Sequence, residues 1–349
     1  MILLPNRHIR LASALLAALT LATQPVHAEL VLDWVTVGDP GNAADTTGAP
    51  NPCGAVASSF QIMKYEMTNT QYAAFLNAVA ATDTYSLYNV NMGTNAYGGI
   101  TRSGSSGSYT YTVKTNFGNK PVNYVSWFDA ARMANWLQNG QGSGGTESGA
   151  YTLVGGQTNG TAPALNSGAT YFIPSESQWY KAAYYKGGSS NAGYWDYATQ
   201  SNMAPATVSS GSTGVGSAGS AGNFANYNNA ANWNGQTGIQ TAVGTNGGPS
   251  AYGAFDMSGN IGEWNDINGT PNANKGLRGG AFTTPTQFVD NLSATINNVS
   301  NPASTEFFTV GFRLAAVPVP EPSTWAMAAG GIAYAAWTAV RRRTRRQVA

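Results

Sequence analysis

An α+β domain with few short helices, short strands and a large share of structured loops is the fold class this sequence predicts. Three observations carry it. Helical periodicity is confined to three brief stretches, and short β-rich runs surround them. The long intervals between are dominated by Gly, Asn, Ser and Thr, but Trp, Tyr and Phe punctuate them and make up 11% of the chain. Disordered segments are poor in aromatics, so these intervals are expected to be loops pinned to an aromatic core.

Taken in order, "VLDWVTVG", "SSFQIMKYEMT", "SYTYTVKT", "TYFIP" and "FFTVGFRLAAV" have the alternation or the β-branched and aromatic enrichment that strands require. The stretch "MTNTQYAAFLNAVAA" places Tyr72, Phe75, Leu76, Val79 and Ala80 at helical spacing behind a Thr68 or Asn69 cap. "SWFDAARMANWLQNG" opens with Ser126 and has Asp129 three residues on, a capping box, before Gly140 ends it. "PSESQWYKAAYYKGG" repeats that logic with Ser175 and Gln178 and is expected to stop at Gly187. Loops as long as those between these elements are uncommon without something to hold them, and a metal ion is one such device.

The two ends are addresses rather than structure. Arg7 and Arg10, the apolar run "LASALLAALTLA" and "VHA" ending at Ala28 form a secretory signal peptide over 1–28, a substrate for signal peptidase. At the other end lie Pro320, Glu321 and Pro322, an uncharged stretch over 324–340 and then five arginines, a stop-transfer arrangement in which the basic residues stay cytoplasmic. The segment 318–349 resembles a PEP-CTERM sorting tail. That resemblance implies export through the inner membrane, transient anchoring by the helix, cleavage by an exosortase-type protease, and release toward the envelope, cell surface or medium; a plain single-pass anchor is the alternative.

Between these ends, 29–317 forms the working domain. Removing Arg7, Arg10 and the tail arginines leaves ten basic residues against fifteen acidic ones once Glu321 is excluded, so the domain is mildly acidic and has no nucleic-acid footprint. Both histidines, His8 and His27, fall in the signal peptide, which removes imidazole as base or metal ligand. Cys53 is the single cysteine and has no histidine to activate it, so disulfides, thiolate zinc sites and two-thiol chemistry are excluded.

One stretch concentrates oxygen donors. "AFDMSGNIGEW" sets Asp256, Asn260 and Glu263 around Gly259 and Gly262 and closes on Trp264, a pattern open to three readings: metal site, catalytic site or capped turn.

The order of motifs resembles the formylglycine-generating enzyme, or sulfatase-modifying factor, family. "YEMTNTQYAAFLNAV", "KPVNYVSWFDAARMANWLQ", "YFIPSESQWYKAAYYKGG", "YGAFDMSGNIGEW" and "LRGGAF" followed by "VGFR" match five motifs of that family in sequence. The resemblance spans about residues 35 to 316 and implies a C-type-lectin-like fold. In the oxidase members, two cysteines between the R-G-G and G-F-R motifs bind copper; here that interval has none. The iron-dependent relatives use three histidines, also absent, so neither copper nor iron is expected.

The resemblance further implies a structural calcium ion held by Asp256, the Gly259 and Ile261 carbonyls and Glu263, and a second at Asn226 and Tyr227. Arg278 and Arg313, from the R-G-G and G-F-R motifs, are expected to be structural, as is Trp264. With no catalytic ligand set, the expected function is a non-catalytic, calcium-braced binding or extracellular-matrix protein. Its ligand, a cell-surface polysaccharide or peptide, would meet Gln287, Asn291, Asn297 and Asn298 in the interval before Gly311. The alternative is a formylglycine-generating-type oxidase or another enzyme using Asp290, Glu306 or Arg313.

Overall fold

The structure is a computed structural model that describes residues 29–188, 192–267, 269–296 and 299–318. The expected signal peptide, the sorting residues Pro320, Glu321 and Pro322, the apolar stretch 324–340 and the candidate contacts Asn297 and Asn298 lie outside the described residues. Among the described residues no helix is long and apolar enough to cross a membrane.

The architecture is α+β, as expected. One four-stranded sheet joins β1 (Trp34–Val37), β2 (Phe60–Met63), β14 (Ala315–Ala316) and β5 (Tyr171–Phe172) in that order. The two ends of the domain thus meet, with Ala315 opposite Ile62 in an antiparallel pair. Helix α1 (Asn69–Val79) follows β2, helix α3 (Trp127–Gln138) follows a hairpin of β3 (Ile100–Ser103) and β4 (Thr110–Val113), and α4 (Glu176–Tyr184) follows β5. A four-residue helix α2 (Asn91–Thr94) precedes the hairpin. Small ladders of β6 (Ala206–Thr207), β7 (Phe224–Ala225), β8 (Asn232–Trp233) and β9 (Gln236–Thr237) stitch the loops.

Each main helix begins where its cap dictates. Thr68, Ser126 and Ser175 all have extended backbone, accept from the N3 amide and donate their own backbone N–H to the N3 side-chain oxygen, three complete capping boxes. Helix α4 ends at Tyr184 rather than at the expected Gly187, because Tyr185 turns extended and bridges Tyr194. The aromatic core is continuous: Trp127, Trp179, Trp264, Tyr72, Phe75 and Phe312 are fully buried. Trp264, expected as a packing residue, donates its indole N–H to the Val125 carbonyl at 2.9 Å.

The second four-stranded sheet is β12 (Val299–Pro302), β11 (Asn274–Arg278), β10 (Gly262–Asn265) and β13 (Val310–Gly311), and of these only β13 falls in a run with a strand signal in sequence. All four residues of β10 are buried, so neither face alternates. The expected single strand in "FFTVGFRLAAV" divides instead: Val310 and Gly311 pair with β10, and the chain then crosses so that Ala315 and Ala316 join the first sheet.

Candidate functional site

The R-G-G and G-F-R motifs bring two regions together at this second sheet, one sealed and one open. In the sealed region Arg313 is fully buried and every one of its five N–H donors is used. Nε and Nη2 grip the two oxygens of Glu263 at 2.6 Å each; the remaining bonds go to the Phe255, Met63 and Lys64 carbonyls. The Trp179 indole donates to the same carboxylate at 2.7 Å. Glu263 therefore has both oxygens committed inside the protein.

Around this pair the loop 254–261 folds back on left-handed turns. Asp256 sits at φ 59° and Asn260 at φ 59°. Gly259, at φ 88°, lies so close to the Asn226 backbone that an added Cβ would stand 2.6 Å from its carbonyl oxygen, which explains the glycine. Asp256 accepts from the Gly244 amide at 2.5 Å and from Asn246 Nδ2 at 3.0 Å. Asn226 joins the same network through Thr241 and Asn260, leaving its Oδ1 without a partner, whereas Tyr227 packs elsewhere and donates to the Pro205 carbonyl.

Sequence reasoning missed Glu66. It is fully buried and receives Asn260 Nδ2 on both oxygens at 3.2 and 3.0 Å. Burial, followed by the Asp256 and Glu263 charges, pushes its carboxyl well above the usual carboxylate range. Burial also raises Asp256. Three carboxyls thus act on one guanidinium, and burial together with the two neighbouring charges favours the protonated form at Glu66. Its signal in the sequence is slight: it is the lone acid of "YEMTNTQY".

Calcium needs about six to eight uncommitted hard oxygens. Of the two carboxylates expected to bind it, Glu263 accepts from Arg313 and Trp179, and Asp256 accepts from Gly244 and Asn246. Among the described residues no group of three or more His, Cys, Asp or Glu side chains is placed to hold a metal. In this arrangement Arg313 supplies the positive charge at Glu263.

The open region is a cleft of about 210 Å³ over the edge of the same sheet. Its polar border is Arg278, Thr283, Thr284, Asn291 and Thr309, and its apolar floor includes Leu277, Ile296 and Val310. Of the candidate contact residues, Asn291 borders the cleft; Gln287 is exposed on a 3₁₀ segment (Thr286–Leu292) and does not. Arg278 binds Glu176 and the Ala49 carbonyl and lies over the Tyr180 ring at 4.9 Å. Burial works against its charge, but Glu176, Tyr184 and Cys53 together outweigh burial and favour the charged guanidinium.

The residues weighed for an alternative enzyme are separately engaged. Arg313 is locked to Glu263, Asp290 accepts from the Tyr197 hydroxyl at 3.4 Å, and Glu306 accepts from Asn89. Cys53 is buried, and burial followed by the Glu176 charge raises its thiol to about 11, so it is no nucleophile at neutral pH. The cleft border offers hydroxyls, an amide and a guanidinium, which can bind polar ligands, but no thiol, imidazole or carboxylate to move a proton.

Comparison with known proteins places this geometry. No curated protein matches the chain. Among solved structures, CarF is 21% identical, covering 83% of this chain and 100% of that one, with a TM-score of 0.48. Treponema denticola variable protein 1 is 16% identical over 82% of this chain and 95% of that one, at a TM-score of 0.47. PvdO from Pseudomonas aeruginosa is 18% identical over 83% and 93%, at 0.41. The model of the sulfatase-modifying factor enzyme 1-like domain matches residues 34–317, and the chain belongs to that family.

Proposed function

We propose that this is a non-catalytic binding domain of the sulfatase-modifying factor family, in which the cleft beside Arg278 takes a polar ligand. One observation carries the reading: the cleft is bordered by Thr283, Thr284, Asn291, Thr309 and Arg278, without any side chain that serves as a base or nucleophile near neutral pH. The sequence signals at both ends support export and sorting to the cell surface by signal peptidase and an exosortase-type protease. A surface polysaccharide or peptide, or the extracellular matrix they form, is therefore the ligand class.

The test is a glycan and peptide array probed with the mature domain, with and without calcium. Binding that the double substitution Thr284→Val, Asn291→Ala weakens roughly tenfold, as expected for the loss of one or two hydrogen bonds, supports the reading. An array with no ligand, or binding indifferent to those substitutions, sinks it. So does conversion of a sulfatase-type cysteine peptide to formylglycine by the copper-treated protein. A bracing calcium ion at Asp256, Gly259, Ile261 and Glu263 would show itself as a melting temperature that rises with millimolar Ca²⁺ and loses that response in Asp256→Ala.

A further inference from the structure

Six basic side chains are buried in the described structure, and five have an evident counter-charge. Arg132, Lys275, Arg278 and Arg313 are bonded to Glu147, Asp266, Glu176 and Glu263, and Lys181 donates to the Gly38 and Asp39 carbonyls beside the Asp39 charge. Lys120 is different. It is 3% exposed, and among the described residues no carboxylate lies within ion-pair distance. Its Nζ donates to the Thr213 carbonyl at 2.7 Å and sits 4.8 Å from the centre of the Trp233 ring. The ammonium has three N–H donors and gives one of them to this carbonyl.

An open cleft of about 290 Å³ lies against this side chain, bordered by Asn116, Asn119, Thr213, Val215 and Ala242 as well as Lys120. We propose that this cleft is a second ligand site, distinct from the one beside Arg278, and that it binds a small oxyanion, the carboxylate or sulfate group of an acidic sugar or similar molecule, on the Lys120 ammonium. A buried cation without a carboxylate is costly, and an anion arriving from solvent supplies the missing partner. The site is built rather than incidental. Gly214 holds φ 73° in the turn that presents the Thr213 carbonyl, and a Cβ there would stand 2.8 Å from the Lys120 Cε and 2.4 Å from the Trp233 ring.

The surroundings favour an anion. The facing segments 116–119, 211–216, 231–237 and 239–243 contain no ionisable side chain. The adjoining loop carries another cation, Lys114, whose ammonium bonds the Asn95 carbonyl and lies 5.9 Å from the Phe117 ring that packs on Trp233. Burial lowers the Lys120 ammonium to about 8. A bound anion favours the charged form, so affinity is full below about 8 and falls as pH rises through that value.

Titration calorimetry of the whole mature domain with sodium acetate and with sodium sulfate, against chloride at matched ionic strength, tests the proposal. Wild type is expected to bind at least one of them near pH 7, and about tenfold more weakly near pH 9. Lys120→Met is expected to abolish binding, whereas Lys120→Arg, whose charge does not titrate, keeps it at both pH values. The tighter of the two probes identifies the group as carboxylate or sulfate. No binding of either anion near pH 7, or binding that survives in a folded Lys120→Met variant, overturns it.

Discussion

Glu263 stands directly opposite Arg278 in the β10–β11 register, yet each is bonded to a different partner. Cross-strand residues this close would ordinarily pair. Instead Glu263 is held by Arg313, with both side chains fully sealed, and Arg278 is held by Glu176 at the border of the cleft. Two pairs of the same chemistry therefore divide between two tasks. The first closes the domain; the second leaves a charged group at the border of the cleft. A buried ion pair says little about function until its distance from a cleft is known.

Four substitutions break or sharpen this contrast. The largest effect is expected from Arg313→Ala, which leaves Glu263 charged and unpaired in the core; equilibrium urea unfolding should show a loss of about 3–5 kcal/mol. Arg278→Ala should cost less, about 2–3 kcal/mol, because water entering by the cleft can solvate Glu176, and it should weaken ligand binding as well. Equal losses in the two variants would erase the distinction drawn between the pairs. Removing only the indole donor, in Trp179→Phe, leaves Glu263 with Arg313 alone and should cost about 1–2 kcal/mol in the same assay.

The smallest effect concerns Glu66 and is a matter of pH. Its folded pKa is raised above the unfolded value, so its contribution is fully present below the ordinary carboxylate range and is lost as pH rises toward the folded pKa. Glu66→Gln mimics the protonated acid. Its melting temperature should match wild type in mild acid and exceed it on the alkaline side; a parallel pH profile in the two proteins would show that Glu66 is not the protonated member of the cluster.

Much of the fold was legible because its signals are local. Thr68, Ser126 and Ser175 each announce a helix within four residues, and the strands around Trp34, Phe60, Thr110 and Tyr171 carry their own enrichment. The sheet that builds both regions was not legible. Its strands "GEWN" and "NKGLR" put Glu263, Asn265, Lys275 and Arg278 inside, where pairing across the fold rather than period-2 hydrophobicity makes burial tolerable. For the same reason "AFDMSGNIGEW" stayed open to three readings: the chain shows oxygen donors close together, but not that an arginine fifty residues later bonds one of them. The Lys120 cleft had no sequence signal, since what marks it is the lack of an acidic neighbour in space.

The Arg313 lock also sets a timetable. Its partners Met63, Lys64, Phe255 and Glu263 all leave the ribosome before it does, and β14, which pairs with β2, follows later still. Until those last residues are made, Glu66, Asp256 and Glu263 have no guanidinium among them, and the first sheet lacks the strand that joins β2 to β5. Closure of the domain is thereby deferred until its last strand has been made.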